Sequence, residues 1–130
     1  VGGVARPTTP PTTATTFNIH LGSTNCTGGD ATTGLGVSCS NPNRGAVKFA
    51  AFNPSSQQVV LDIQQLLAGS NLSQDSGGAV GCMSGSTDPE CPAVFDKLDL
   101  YLTANPAGSG NQGQPKADGS NVPAFRVESK

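Results

Sequence analysis

The chain has 130 residues, the usual size of one domain, and a formal net charge of -2 with charged residues at only 12%. That balance leaves no basic stripe for a phosphate backbone, and the longest apolar runs, such as Val59-Val60-Leu61, fall far short of the roughly 20 residues a membrane helix needs. Val, Leu, Ile and Phe make up only one fifth of the chain beside 17 Gly and 10 Pro, so a thin core, short strands and long turns are expected, and the class is all-β.

The chain opens Val1-Gly2-Gly3-Val4 with neither Met nor a charged and apolar leader, so any targeting peptide is expected to have been removed already. Residues 1–13, rich in Thr with Pro7, Pro10 and Pro11, read as an extended lead-in, and residues 14–130 as the domain proper. The first strand is expected over Thr15 to Leu21, where Phe17, Ile19 and Leu21 alternate with Thr16, Asn18 and His20. His20 then lies on the face opposite Phe17 and Ile19. Gly22 to Asn43 reads as a long loop in need of a staple.

Ala46 to Phe52 and Gln58 to Ile63 read as two strands around the turn Asn53-Pro54-Ser55-Ser56, a candidate hairpin. Near Asp62 the pattern changes to helical spacing, with Ile63, Leu66 and Leu67 on one side and Gly69 as the stop. Ser70 to Pro92 is a second polar loop, turning at Asp88-Pro89-Glu90. After Pro92, the residues Val94, Phe95 and Leu98 predict a short helix, and Leu100 and Leu102 an extended piece. Asn105 to Ser120 offers little to bury, and Pro123 to Val127 reads as the last strand.

Cys26, Cys39, Cys82 and Cys91 form two local pairs with no Cys-x-x-Cys spacing, which disfavours zinc and favours disulfides in an oxidising compartment. Four cysteines permit three pairings. Joining neighbours, Cys26 with Cys39 and Cys82 with Cys91, closes the shortest loops and would stabilise by roughly 3 kcal/mol each.

No Gly-x-Ser-x-Gly, P-loop, Gly-x-Gly-x-x-Gly or His-Glu-x-x-His is present, so no reaction centre is legible and the chain is expected not to be an enzyme. Asp62, Asp88 and Glu90 sit where turns and caps are expected, and Arg44 and Arg126 are expected to pair carboxylates. Met83, the single Met, is a soft donor for Cu(I) but reads as packing beside Cys82.

A set of ordered motifs then carries a resemblance. His20-Leu21-Gly22-Ser23-Thr24 leads to Cys26; Cys39 precedes Asn41-Pro42-Asn43-Arg44; Asp62 precedes Leu66-Leu67-Ala68; Gly81-Cys82-Met83-Ser84 is followed by Asp88-Pro89-Glu90-Cys91 and Val94-Phe95; Phe125-Arg126-Val127 closes the series. In these the chain resembles the MbnP-type proteins, the four-Cys-motif members of the "metallo-mystery pair", related to secreted copper-binding proteins of methanotrophs. The resemblance implies a β-sandwich with disulfide-stapled loops, a secreted or periplasmic location, and a diheme MauG-like or cytochrome-c-peroxidase-like partner enzyme. In that family the enzyme oxidises a tryptophan to kynurenine, and histidines hold copper together with the modified residue.

This chain has no Trp and one His, and its motifs match the C-terminal half of the family pattern, so an N-terminal segment or chain is expected to complete the fold. His20 is the copper-ligand candidate, because imidazole suits copper; Asn18, two residues earlier on the same face, stands where some relatives carry a second His. Copper, its remaining ligands supplied from outside the chain, is the cofactor expected. A disulfide-stapled interaction module with no metal is the other reading.

Overall fold

A computed structural model describes residues 2–4, 16–30, 32–33, 35–73, 76–103 and 112–130. Among the described residues seven short strands and two short helices follow one another: β1 (Gly2–Val4), β2 (Thr16–Ile19), β3 (Thr24–Thr27), β4 (Ser38–Asn41), β5 (Gln57–Leu61), α1 (Ile63–Leu66), β6 (Gly81–Cys82), α2 (Cys91–Lys97) and β7 (Phe125–Ser129). They make three small sheets, ordered β1-β2-β6, β3-β4 and β5-β7. The chain is thus strand-based with a little helix, as its Gly and Pro content predicts.

The core forms where β2 meets the two helices. Phe17 and Ile19 point inward from β2, as period-2 alternation requires, and pack with Leu66 of α1 and with Val94 and Phe95 of α2. Leu98, Leu100 and Ala124 fill the remainder, and the fully buried Cys82–Cys91 disulfide lies among them. Sulfur here replaces part of the hydrocarbon the composition lacks.

Helix α1 begins at the N-cap Asp62, whose carboxylate accepts the Gln65 N–H at 2.9 Å. It stops before Gly69, which takes φ +94°, a conformation glycine adopts without a steric penalty. Helix α2 starts at Cys91 with Pro92 in its first turn, where the missing N–H costs nothing, and carries Lys97 in its last turn. Beyond it Leu100 bridges Pro115, and Tyr101 exchanges backbone hydrogen bonds with Gln114 and Gly113 at 2.9 and 2.7 Å. The extended piece predicted around Leu100 therefore pairs with residues read as featureless, and Gly113 and Gly119 are buried. Residues 105–111 of that stretch lie outside the described residues.

Three expectations need correction. The loop expected over residues 22–43 contains the antiparallel hairpin β3–β4, with Cys26 directly opposite Cys39. Its strands are polar on both faces, so no hydrophobic alternation announces them. The strand expected over residues 46–52 is irregular, ending in a turn at Ala50–Ala51, with Val47 and Phe52 exposed and Lys48 N–H bonded to the Gly119 carbonyl at 2.8 Å. The expected hairpin with the next strand is therefore absent. β5 instead pairs antiparallel with β7, setting Val59 against Val127 and Leu61 against Phe125. Those apolar cross-strand pairs, with Leu61 and Phe125 packed on the core, reward the distant partner more than the near one.

Within the lead-in expected over residues 1–13, Gly2–Val4 pairs antiparallel with β2. Pro7, Pro10 and Pro11 lie outside the described residues.

The Asp62 carboxyl is held below the usual carboxylate range, first by the Gln65 N–H and then, against an opposing effect of burial, by the Arg126 guanidinium, with which it forms an ion pair. Arg126 also pairs with Glu128, at 2.6 Å, whereas Arg44 is exposed and enters no ion pair with a described residue. Because the folded value lies below the unfolded one, Asp62 contributes stability above about pH 4 that is lost as pH falls through the folded value. Asp62→Asn is expected to flatten the acid limb of a melting-temperature profile between pH 5 and 2. A limb as steep as that of the parent would remove Asp62 from this role.

Candidate functional site

β2 runs parallel to β6, placing Asn18 beside Gly81 and Ile19 beside Cys82. The approach is close enough that a Cβ on Gly81, which has φ +85°, would overlap the Asn18 backbone. The ladder continues one residue further, with the His20 N–H donating to the Cys82 carbonyl at 2.9 Å. His20 therefore stands at the end of β2, beside the buried disulfide, with its side chain exposed on the face away from Phe17 and Ile19.

The segment after His20 is tied down from two sides. The Ser84 hydroxyl donates to the His20 carbonyl at 2.5 Å and accepts the Gly22 N–H at 3.0 Å. From the other side Asn43 Nδ2 donates to the Gly22 carbonyl at 2.6 Å, and Ser23 Oγ donates to the Pro42 carbonyl at 2.9 Å. Ser84 and Asn43 are 1% and 3% exposed, and both hold positive φ, 66° and 47°. Left-handed backbone at a buried non-glycine residue costs free energy that its surroundings must offset.

The other acidic candidates are committed to the fold. Asp88 accepts the Met83 N–H at 2.8 Å and the Glu90 N–H at 2.9 Å, closing the turn that precedes α2. Met83 is half-buried next to Cys82. Glu90 is buried on the wall of a pocket of about 210 Å³ that Phe17, Ser70 and Ser76 also line. Its two carboxylate oxygens accept the Gly81 N–H at 2.5 Å and the Ser76 N–H at 3.1 Å, so it braces β6 from beneath. Glu90→Leu is expected to cost about 1–3 kcal/mol by leaving the buried Gly81 N–H without its acceptor. Glu90→Gln, which retains one amide oxygen, should lose clearly less in urea unfolding; equal losses would place the Glu90 contribution elsewhere.

The sulfurs of all four cysteines are spent in the Cys26–Cys39 and Cys82–Cys91 disulfides, so no thiolate is available to a metal. Among the described residues no three His, Cys, Asp or Glu side chains gather where they could hold an ion. A complete copper sphere does not fit the described residues; the one imidazole of the chain, that of His20, is exposed. Sequence reasoning singles out His20 but misses Ser84, which bonds the His20 carbonyl, and Asn43, which bonds the Gly22 carbonyl. Both lie inside the ordered motifs, but nothing local in Cys82-Met83-Ser84 or Asn41-Pro42-Asn43 announces a left-handed backbone.

Among the described residues no helix is long and apolar enough to cross a membrane. No protein-family model and no curated protein matches the chain. Among solved structures, MbnP from Methylosinus trichosporium superposes with a TM-score of 0.79 at 42% sequence identity, covering 90% of this chain and 40% of that one. The chain thus spans about two fifths of the length of that relative. The ordered motifs and the shared fold agree, and over nine-tenths of its length this chain is similar to MbnP.

Proposed function

We propose that this chain is part of a secreted or periplasmic copper-associated protein, a non-catalytic partner or substrate of a diheme MauG-like enzyme, to which it contributes His20 as one copper ligand. The observation that carries this reading is the agreement with MbnP in sequence and fold. Two disulfides support an oxidising compartment. Copper is the metal because an exposed imidazole suits it and the MbnP resemblance points to it. The remaining ligands come from outside this chain, since the described residues gather no further donors around His20. On the same reading the three small sheets are portions of a β-sandwich that another segment or chain completes; the isolated β5–β7 ribbon is a natural place for it, two-stranded ribbons being marginal alone.

Titration of the purified chain with Cu(II), followed by d–d absorption and by Cu(I) competition, tests the proposal. Uptake that falls in His20→Ala supports it, and equal uptake by both proteins removes His20 from the site. A second reading, an interaction module without metal, is favoured by the exposed Val47, Phe52, Val59 and Ile63. It predicts no copper uptake by either protein.

A further inference from the structure

We propose that the pocket walled by Glu90 binds a primary alkylammonium group, whose positive charge meets the Glu90 carboxylate while its hydrocarbon tail lies along the apolar wall. This site is independent of the copper reading. The pocket, of about 210 Å³, is lined by Ser70 from the stretch after α1, by Ser76, by Pro89 and Glu90 from the turn into α2, by Ala93 of α2 and by Phe17 of β2. At roughly 30 Å³ for each water molecule it has space for several waters, and so for an amine of about four carbons.

Glu90 is 8% exposed, and its carboxylate oxygens accept from neutral donors, the Gly81 and Ser76 N–H groups. Among the described residues no Lys, Arg or His pairs with it. Although Glu90 stands at the N-cap of α2, its side chain makes no hydrogen bond to that helix, so its charge is not spent on the cap. A carboxylate removed from water without a counter-charge is costly, and buried charges are as a rule paired or bound to a metal. A metal does not fit here. One carboxylate stands on the wall, and among the described residues no three His, Cys, Asp or Glu side chains gather. An anion would be repelled, whereas an ammonium is a compact cation that carries donors only and needs one carboxylate and neutral acceptors. Ser70 offers such an acceptor: its hydroxyl oxygen is buried with no hydrogen-bond partner among the described residues, a rare condition for a buried polar atom. Phe17, Pro89 and Ala93 supply the apolar wall that a short alkyl tail requires.

Titration with n-butylammonium chloride, followed by backbone amide shifts in nitrogen–proton spectra, tests the site, with n-butanol as a neutral control of like shape. Saturable shifts at Ser70, Ser76 and Ala93 are expected with the ammonium, and binding at least tenfold weaker with the alcohol. Ser70→Ala should melt at the parent temperature or above, because it deletes an unpaired buried hydroxyl, yet bind the amine about fivefold more weakly. Glu90→Gln, which keeps an acceptor but loses the charge, should bind about tenfold more weakly or worse. Ala93→Leu should abolish binding by filling the cavity. The proposal is overturned by an absence of saturable shifts, by equal response to amine and alcohol, or by undiminished affinity in Glu90→Gln. Should Glu90→Gln fail to fold, the alcohol control and Ala93→Leu still decide, since binding that survives in Ala93→Leu puts the amine elsewhere. Nα-acetyl-lysine N-methylamide then distinguishes the source of the ammonium. Tighter binding than butylammonium assigns the site to a lysine side chain of another protein, weaker binding to a free amine, and either result supports the ammonium site.

Discussion

Phe95→Ala is expected to leave the chain largely unfolded, or so close to its unfolding midpoint that a small addition of urea completes the transition. Phe95 is the largest side chain fully enclosed in the core, at 1% exposure, and it sits where α2 meets β2 and α1. Removing such a ring costs about 3–5 kcal/mol, the lost transfer free energy plus the cavity left behind. Domains of ordinary size have about 5–15 kcal/mol in total, and a chain with so few aliphatic residues belongs toward the low end. The surroundings have little freedom to close the hole. Cys82 and Cys91 are linked to each other, and the Leu100 N–H is bonded to the Phe95 carbonyl at 2.9 Å. Urea unfolding followed by circular dichroism measures the loss; a cost below about 1 kcal/mol would mean that this ring is not the centre of the core.

The second large effect separates the two disulfides. Loop-closure entropy alone assigns them nearly equal worth, about 3 kcal/mol each, because the bridges span separations of 13 and 9 residues and the dependence is logarithmic. Burial breaks the tie. Cys82 and Cys91 are wholly enclosed, so the Cys82→Ala/Cys91→Ala protein also loses two packed sulfur atoms, each about as costly as a buried methylene at 0.8 kcal/mol. It also loosens the carbonyl that holds the His20 N–H. A loss of about 4–5 kcal/mol is expected, the sum of the entropic and packing contributions. Cys26 is exposed on a hairpin away from the core cluster, so Cys26→Ala/Cys39→Ala should free residues 23–41 and leave the core cooperative. In the parent, mild reductant should accordingly open Cys26–Cys39 first. Mass spectrometry of trapped thiols during a reductant titration reads the order, and simultaneous loss of both bridges would contradict it.

Much of this architecture is legible in the amino-acid order alone. The strand at Phe17 and Ile19 and the helices after Asp62 and around Val94 and Phe95 are carried by hydrophobic period and by Asp, Pro and Gly punctuation, which act over a few residues. Local pattern misleads where the partner is remote. Residues 46–52 have the alternation of a strand, but a strand exists only by pairing, and β7 occupies the place beside β5. The β3–β4 hairpin has no apolar face to reveal it and depends instead on its own hydrogen bonds and the cross-strand bridge. At the candidate site His20 is visible as a residue type, whereas its support is not: Ser84 acts from 64 positions away, a distance no local pattern spans.

That separation also shapes how the molecule is made. Both crosslinks join near neighbours in the chain, so oxidation can proceed on local loops early and leaves the search for the β2–β6 register almost as long as before. Parallel pairing across such a span bears its closure entropy before any contact rewards it, which slows folding. The arrival of Gly81 against Asn18 is then a slow step in assembly, and the His20 main chain takes its fixed position only when that register has formed.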